Sequence, residues 1–446
     1  MSLIKVIGSV YISKNFFLGI GVLIFVFAFG SVVPFMLGMA YLLTGLFLLV
    51  ILAELYQLYR LKKGVEASRQ TPSRLSNGDN NKIYILLNSH LPFDCKYELI
   101  DELPSQFQNR NISFSGLLDS GMEKTIQYTV RPVDRGEYNF GNVNVYISTL
   151  GHMIQRRYQF EKEKTVKVYP SIIQVKKYAF FAISDHLQDV GIKKIRKIGH
   201  NYEFDQIREY VEGDDVRSIN WTATARSNQL MINQYQDEKS QDVYTIINKG
   251  RVMQMPFNGL TLLDYAVNSS LVMLNTAYVK DDHPGLITFN KQVETMILAA
   301  KKKNQISQIL ETLYNQETDF SEADYGKLTY WVRKKIKKRG LVFLYTNFEG
   351  LVSLKREIQH LKSMAQYQRL IVIIFKNVEI DEMVDKESND LEMIYTKTIA
   401  TKYQVEKQLI IKELHHNGID AILTSPEDLT VNSINKYLEI KKRGLL

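Results

Sequence analysis

The run Leu370-Ile371-Val372-Ile373-Ile374-Phe375 decides the fold of the second half of this chain. Six consecutive apolar residues, most of them β-branched, are typical of a strand that is buried on both faces, as the strands of a parallel sheet are. Four further short apolar runs have the same character: residues 243–247, 286–289, 341–345 and 421–423.

Longer stretches with helical periodicity separate these runs. One helical face is marked by Leu263, Ala266, Val267, Ser270, Leu271 and Leu274. Strands that alternate with such helices predict a doubly wound α/β domain over residues 241–446. Ligands of such domains bind beyond the carboxyl ends of the strands, so residues 248–253 and 346–350 are the first candidates for a site.

A different periodicity appears in residues 82–175. Ile126, Tyr128 and Val130 alternate with polar residues, which predicts a half-buried strand. Similar segments bring the total to about seven strands and predict an immunoglobulin-like β-sandwich. Residues 64–81 have the polar composition of a linker, and residues 176–240 join the two predicted domains.

Residues 16–53 contain no charged side chain. One helix of this length would measure roughly 57 Å, about twice the thickness of a hydrocarbon core. Gly30, Ser31 and Pro34 lie near the middle, where a turn divides the run into two segments of roughly 18 residues. We therefore expect residues 1–63 to form a two-helix membrane anchor, making the protein multi-pass.

Basic residues flank this anchor on both sides. The positive-inside rule then places both flanks and the soluble domains in the cytoplasm. The alternative is a signal peptide that is cleaved after Ala28-Phe29-Gly30, although a second span would still follow it. The anchor has five basic residues and one acidic residue, so it supplies +4 of the net charge of +8. The remaining +4 is spread over the rest of the chain and does not by itself imply a phosphate-binding surface.

Several classes of protein are excluded. The single cysteine, Cys95, cannot form an intramolecular disulfide or a cysteine-rich metal cluster, and is expected to be a small buried residue. The sequence contains no P-loop and no Gly-x-Ser-x-Gly nucleophile motif. We expect a protein that is not an enzyme, has no cofactor and acts on no small-molecule substrate.

The predicted joining segment contains a distinctive set of residues. They are Arg208, Glu209, Tyr210, Gly213, Asp214, Asp215, Arg217, Asn220, Trp221 and Arg226. Their order resembles the signature of the domain-of-unknown-function family fifty-eight. Members of that family look like bacterial proteins anchored in the cytoplasmic (inner) membrane. The resemblance implies a von Willebrand factor A-like domain and a MoxR-type AAA+ ATPase as the protein partner.

The acidic residues of this signature allow two interpretations. Glu212, Asp214 and Asp215 lie near Arg208, Arg217 and Arg226, which predicts a structural network of ion pairs. The alternative is that the three carboxylates hold a divalent cation for a metal-dependent hydrolase or nuclease. Trp221 is expected to be an anchor in the core or at a domain interface.

The resemblance also implies where a metal would bind. Von Willebrand factor A domains bind magnesium through an Asp-x-Ser-x-Ser motif after the first strand and an acid on a later loop. The matching positions here are Asn248, Gly250 and Val252, with Asn347 on the later loop. These residues offer no carboxylate or hydroxyl, which predicts a degenerate, metal-free site. The retained fold would then present a protein-binding rim at the strand ends, and the basic residues Lys249 and Arg251 would be part of it.

Two basic clusters leave a further alternative open. They are Lys193, Lys194, Arg196 and Lys197, and Arg333, Lys334, Lys335, Lys337, Lys338 and Arg339. Such clusters bind nucleic acid or anionic lipid, or are solvated helix faces. The main expectation from the sequence is a membrane-anchored scaffold or adaptor that assembles or matures complexes with its partner protein.

Overall fold

The computed structural model describes residues 8–61, 63–108, 112–149, 151–160, 164–183, 202–212, 214–227, 229–237, 240–318, 320–385 and 390–443. The chain forms two compact units, Met1–Tyr169 and Pro170–Leu446. The predicted boundary at residue 175 is therefore too late. The backbone N–H of Ser171 donates to Asn268 Oδ1 at 2.9 Å, which ties the last residues of the predicted β domain to the second unit.

The first unit begins with two apolar helices, α1 (Lys14–Gly30) and α2 (Pro34–Tyr59). The predicted break between them is confirmed, because Pro34 occupies the first turn of α2, where its missing N–H costs no helical hydrogen bond. The ring centroids of Phe16 and Phe47 lie 5.7 Å apart and those of Phe27 and Tyr41 lie 5.5 Å apart. These pairs show that the helices are antiparallel.

Only part of this hairpin meets the length expected of a membrane span. Within α2, the 23 residues Leu37–Tyr59 are long and apolar enough to cross a bilayer. Helix α1 is apolar but has 17 residues. The prediction of two crossing segments of roughly 18 residues each is therefore met in length by one of the two helices.

The strands of the first unit form three sheets, with the orders β1-β10-β9-β5-β6, β2-β4-β7 and β3-β11-β8. The strands are β1 (Val10–Ile12), β2 (Val65–Gln70), β3 (Arg74–Ser76), β4 (Asn81–Ser89), β5 (Cys95–Asp101), β6 (Ile112–Leu118), β7 (Glu123–Val130), β8 (Gly136–Phe140), β9 (Val143–Ser148), β10 (Ile154–Phe160) and β11 (Lys164–Tyr169). All seven predicted strands are present, and one hydrophobic core is shared between the sheets.

The predicted linker at residues 64–81 is wrong. Strands β2 and β3 lie within it, and β2 pairs with β4 along its whole length. Arg69 of β2 is buried and forms an ion pair with buried Asp101 at 2.8 Å. The exposed side chains of Glu66, Ser68 and Gln70, together with the buried Arg69, give this strand the composition of a linker.

The anchor is continuous with this β domain, so the predicted boundary at residue 63 is also wrong. Strand β1 pairs with β10, and Leu58 of α2 lies in the core. Glu54 is buried and accepts hydrogen bonds from Thr149 Oγ1 at 2.7 Å and from the backbone N–H of Ile154 at 3.0 Å. The last turns of α2 are thus built into the β domain.

The second unit contains a six-stranded sheet of order β18-β17-β14-β19-β20-β21. Its strands are β14 (Asp242–Asn248), β17 (His283–Phe289), β18 (Val293–Ile297), β19 (Leu341–Thr346), β20 (Arg369–Phe375) and β21 (Asp420–Thr424). Short strands β15 (Pro256–Phe257) and β16 (Leu260–Thr261) follow β14. All neighbouring pairs in the large sheet are parallel except β17 and β18.

Helices cover both faces of this sheet. They are α3 (Ile172–Ile183), α5 (Leu262–Val279), α6 (Gln305–Tyr314) and α11 (Leu429–Arg443) on one face, and α7 (Tyr325–Lys335), α8 (Leu351–Tyr367) and α10 (Leu391–His416) on the other. The remaining helices are α4 (Trp221–Ser227) and α9 (Val378–Asp385). The predicted alternation of buried strands and helices is confirmed.

Candidate functional site

The central strands β14 and β19 lead to helices on opposite faces of the sheet, β14 to α5 and β19 to α8. The loops after these strands therefore diverge at the carboxyl edge and leave a cleft. Both stretches singled out in the sequence, 248–253 and 346–350, lie here. The pocket encloses about 80 Å³, whereas pockets for small molecules usually measure about 300–1,000 Å³.

Asn248 uses its whole side-chain amide within the protein. Its Nδ2 donates to Thr346 Oγ1 at 2.9 Å and to the hydroxyl of Tyr325 at 3.3 Å, and its Oδ1 accepts from the backbone N–H of Gly250 at 2.8 Å. All three side chains are buried, and burial raises the pKa of the Tyr325 phenol, so that group stays protonated. The network fixes the end of β14.

Asn347, after β19, is bound by an internal cation. Lys407 of α10 is buried, and its Nζ donates to Asn347 Oδ1 at 2.8 Å and to the backbone carbonyl of Phe348 at 2.5 Å. Burial lowers the pKa of Lys407 to about 8, although the charges of Glu349 and Glu406 partly oppose this shift. A lysine ammonium therefore occupies the oxygen atoms that this loop would offer to a metal.

The two basic residues after β14 each form an ion pair with a glutamate. Lys249 Nζ forms an ion pair with Glu294 Oε2, and Asn290 donates to the other oxygen of the same carboxylate. Arg251 forms an exposed ion pair with Glu349 at 2.9 Å. Each cation is thus paired with an acid that is distant in sequence, Glu294 of β18 and Glu349 of the loop after β19.

The four predicted metal-site positions at this edge do not fit a divalent cation. Magnesium and calcium need several free oxygen ligands, preferably carboxylates. Gly250 and Val252 carry no side-chain oxygen, and the amide oxygens of Asn248 and Asn347 already accept hydrogen bonds. Among the described residues, no group of three His, Cys, Asp or Glu side chains is arranged to hold a metal.

The predicted signature residues lie on a hairpin that packs largely on itself. Strand β12 (Tyr202–Glu209) pairs with β13 (Met231–Asp237), and α4 lies between them. Asn220 begins α4: its Oδ1 accepts from the backbone N–H of Ala223 at 3.0 Å, and its Nδ2 donates to Asn233 at 2.8 Å. The chain thus closes a compact lobe, which we call the signature hairpin (residues 202–237).

One strong ion pair holds the turn of this hairpin. Arg208 donates from both terminal nitrogens to Asp214, at 2.7 and 2.8 Å, and the backbone N–H of Val211 donates to Asp214 at 2.9 Å. The Arg208 guanidinium holds the pKa of the Asp214 carboxyl below its usual range. Bidentate pairing of this kind fixes geometry as well as charge.

The wider ion-pair network is not present in the described residues. Asp215 accepts from the backbone N–H of Arg217 at 2.9 Å and caps a short 3₁₀ turn. Glu212, Arg217 and Arg226 are exposed. The prediction therefore holds for the Arg208–Asp214 pair alone, and Gly213 lies outside the described residues.

Apolar side chains of the signature hairpin are directed into solvent. Trp221 is 68% exposed, Val211 61% and Val216 63%, whereas Ile232 is buried. The prediction that Trp221 anchors a core is wrong, because α4 has seven residues and packs against β13 without covering the indole. Exposed tryptophan is unusual on a soluble surface and is a frequent energetic centre of protein interfaces.

The sequence did not indicate Lys407 or Tyr325. Lys407 lies 60 residues after its partner Asn347, and nothing in its local pattern distinguishes it from the exposed lysines of α10. The exposure of Val211 and Val216 could have been predicted from the sequence, because both are apolar residues within a highly charged turn.

Comparisons with known proteins agree with the signature. Residues 206–407 match the family model described as "Protein of unknown function DUF58". The uncharacterized protein YeaD of Bacillus subtilis is 26% identical over 209 residues, which are 45% of this chain and 51% of YeaD. The chain thus matches about half the length of that curated relative.

Two solved structures also show similarity. One is the conserved hypothetical protein BatB from Bacteroides thetaiotaomicron, which is 11% identical, with 46% of this chain and 100% of that chain covered and a TM-score of 0.30. The other is a CARDB domain from Pyrococcus furiosus, which is 10% identical, with 23% of this chain and 91% of that chain covered and a TM-score of 0.17.

Proposed function

We propose that the protein is a non-enzymatic, membrane-anchored scaffold or adaptor whose second unit binds a partner protein, and that the partner is a MoxR-type AAA+ ATPase involved in complex assembly or maturation. The observation that carries this proposal is the exposure of Trp221 on the signature hairpin. A large aromatic side chain held in water by a compact lobe gains most by burial against another protein.

The carboxyl edge of the sheet supports the non-enzymatic part of the proposal. The side-chain amides of Asn248 and Asn347 are paired within the protein, with Thr346 and Lys407 respectively. The sheet order, with an antiparallel edge strand, supports a von Willebrand factor A-like domain that has lost its metal ligands. In this proposal the domain is retained for its surface shape and not for its chemistry.

The rival, a metal-dependent hydrolase or nuclease, requires free carboxylates at Glu212, Asp214 and Asp215. Asp214 already uses both oxygens, for Arg208 and for the backbone of Val211. Asp215 uses one oxygen to cap the 3₁₀ turn. A metal would therefore have to displace an arginine from the turn.

We also propose that the anchor crosses the membrane twice. Strand β1 directly precedes α1 and is paired in the β domain, and the end of α2 is packed in the same domain. If α2 crosses the bilayer, α1 has to return across it. From Pro34 to Ala53, α2 measures about 30 Å, and α1 measures about 26 Å. This supports a bacterial inner-membrane hairpin with both flanks in the cytoplasm.

A crosslinking pull-down from membranes tests the protein partner. Full-length wild-type protein should capture the ATPase. The Trp221→Ala variant should capture at least about tenfold less of it, because interface tryptophans often contribute about 2 kcal/mol or more to the binding free energy. The matched control is Phe320→Ala, which removes a similarly exposed aromatic side chain. Equal capture by both variants would contradict the proposed role of the hairpin.

A further variant, Asp214→Ala, separates the scaffold from the rival enzyme. Asp214→Ala should loosen the turn, and neither this variant nor wild type should show a metal-dependent turnover. Calorimetry with magnesium or manganese should show no binding by the full chain. A metal-dependent activity that is lost in a folded Asp214→Ala protein would favour the rival.

A further inference from the structure

Six basic residues lie close together at the end of α7 and in the loop that leads into β19. They are Arg333, Lys334, Lys335, Lys337, Lys338 and Arg339, and we call them the basic patch. All six side chains are exposed, whereas Ile336 in their midst is buried. None of the six forms an ion pair within 4.0 Å with a carboxylate that the structure describes.

Stabilisation of helix α7 explains the positions of only three of these six cations. Arg333, Lys334 and Lys335 lie in the last turn of α7, where cations interact favourably with the helix dipole. Lys337, Lys338 and Arg339 follow the end of the helix and gain nothing from it. Charges of one sign at this density repel one another, so they are expected to have an external counter-charge.

Aromatic rings lie among these cations. Lys334 Nζ is 5.2 Å from the centroid of the Trp331 ring and 5.5 Å from that of Tyr330, and Lys335 Nζ is 5.8 Å from the Trp331 centroid. Tyr330 is exposed. Tryptophan and tyrosine beside lysine are the residue types that concentrate at the level of lipid headgroups.

We infer that the basic patch binds the anionic surface of a lipid bilayer. The same chain carries the apolar helix Leu37–Tyr59, so a bilayer is a surface to which the patch is already tethered. Tethering raises the effective concentration of that surface, and polybasic segments gain affinity from each lysine or arginine that reaches it.

Single-stranded nucleic acid is the competing ligand, because bases stack on aromatic rings near cations. Stacking needs an open ring face, and here lysine ammonium groups lie over the rings of Trp331 and Tyr330. The described geometry therefore favours a headgroup layer over a base. This inference does not depend on the protein partner proposed for the signature hairpin.

Tryptophan fluorescence tests the inference directly, because the chain has two tryptophans and Trp221→Phe leaves Trp331 alone. The full-length variant is inserted into nanodiscs of brominated lipid, either zwitterionic or containing phosphatidylglycerol. Contact with lipid should quench Trp331 in the anionic discs and much less in the zwitterionic ones. Raising the ionic strength to about 1 M, where the Debye length is about 3 Å, should remove most of the difference.

Charge variants provide the control. In the Trp221→Phe background, Lys337→Glu with Lys338→Glu should abolish the anionic quenching, and Lys302→Glu with Lys303→Glu, which makes the same change in net charge at another exposed site, should retain it. Equal quenching in both kinds of disc, or equal loss in both double variants, would overturn the inference. A response of Trp331 to a single-stranded oligonucleotide but not to anionic lipid would assign the patch to nucleic acid and would also overturn it.

Discussion

At the scale of single residues, Lys407 places a buried positive charge at the carboxyl edge of the sheet. Its ammonium lies in a buried position and donates to Asn347 and to the carbonyl of Phe348. Burial opposes the charge, so the pKa of Lys407 falls to about 8. The protein thus keeps a cation at this edge at neutral pH at a cost in stability.

This cost predicts a pH dependence. The unfolded chain holds the Lys407 proton up to about pH 10.5 and the folded chain releases it near pH 8, so the unfolded state binds more protons between these values. The free energy of unfolding of wild type should therefore rise with pH there, by at most about 3 kcal/mol relative to Lys407→Met. Urea unfolding at pH 7.5 and 10.5 measures this difference.

The control for this experiment is Lys412→Met, which removes an exposed lysine from the same helix. Its stability relative to wild type should not change over the same pH range. If the difference in unfolding free energy between wild type and Lys407→Met does not change with pH, burial does not lower the pKa of Lys407.

Asp214 supports a second prediction at the same scale. Asp214→Asn should break the bidentate pair with Arg208, and the amide of Val211 should exchange hydrogen faster while the melting of the chain stays unchanged. Arg208 keeps the pKa of Asp214 below 3.8, so wild-type protection should be present above that pH and be lost as the pH falls further. Hydrogen exchange is the measurement, with exposed Glu212→Gln as the unaffected control.

Sequence patterns predicted some of these residues and not others. Asn248 and Asn347 were found because each follows a buried strand, a local and reliable signal. Lys407 was not, because a contact across 60 residues depends on how α10 packs. The exposure of Trp221 was not predicted, since large aromatic side chains are normally buried.

At the scale of elements, the junction of α2 with the β domain is the most informative. Arg156 is buried and donates to the carbonyls of Leu58 at 2.5 Å and Leu61 at 2.8 Å, at the end of the helix. The ring centroid of Tyr59 lies 4.5 Å from its guanidinium carbon. The arginine thus satisfies helix carbonyls that have no partner within the helix itself.

Arg156→Met should therefore destabilise the first unit by about 2–3 kcal/mol, because it leaves buried carbonyls without a donor. Cys95 reports this directly, as it is the single cysteine and is buried in that unit. Its labelling by a thiol reagent should become about 30- to 150-fold faster. Arg60→Met, which changes an exposed arginine at the same helix end, should leave the rate unchanged; a similar rate in both variants would contradict this account.

The elements themselves were predictable where one periodicity dominated. Strand β20, with six buried residues in a row, and strand β7, with strict alternation, follow from the sequence alone. Strand β2 does not, because four of its six residues are polar, and the burial of Arg69 in its ion pair with Asp101 cannot be read from the local sequence.

At the scale of the whole molecule, the hairpin topology of the anchor can be tested with introduced cysteines. Cys95 is buried, so it gives no background labelling in the folded protein. Ser31→Cys, between α1 and α2, should react with an impermeant maleimide in intact cells, and exposed Ser105→Cys should react only after lysis. Labelling of Ser105→Cys in intact cells would place the β domain outside.

The central claim is that the second unit works by binding a protein through the signature hairpin. Its most direct test is a photo-crosslinking amino acid placed at position 221 of the full-length chain in its native membrane, with a second placed at exposed Val352 as the control. The account predicts a crosslink from position 221 to a MoxR-type ATPase and none to that protein from position 352. A crosslink to the ATPase from position 352 alone, or no protein product from position 221, would contradict it.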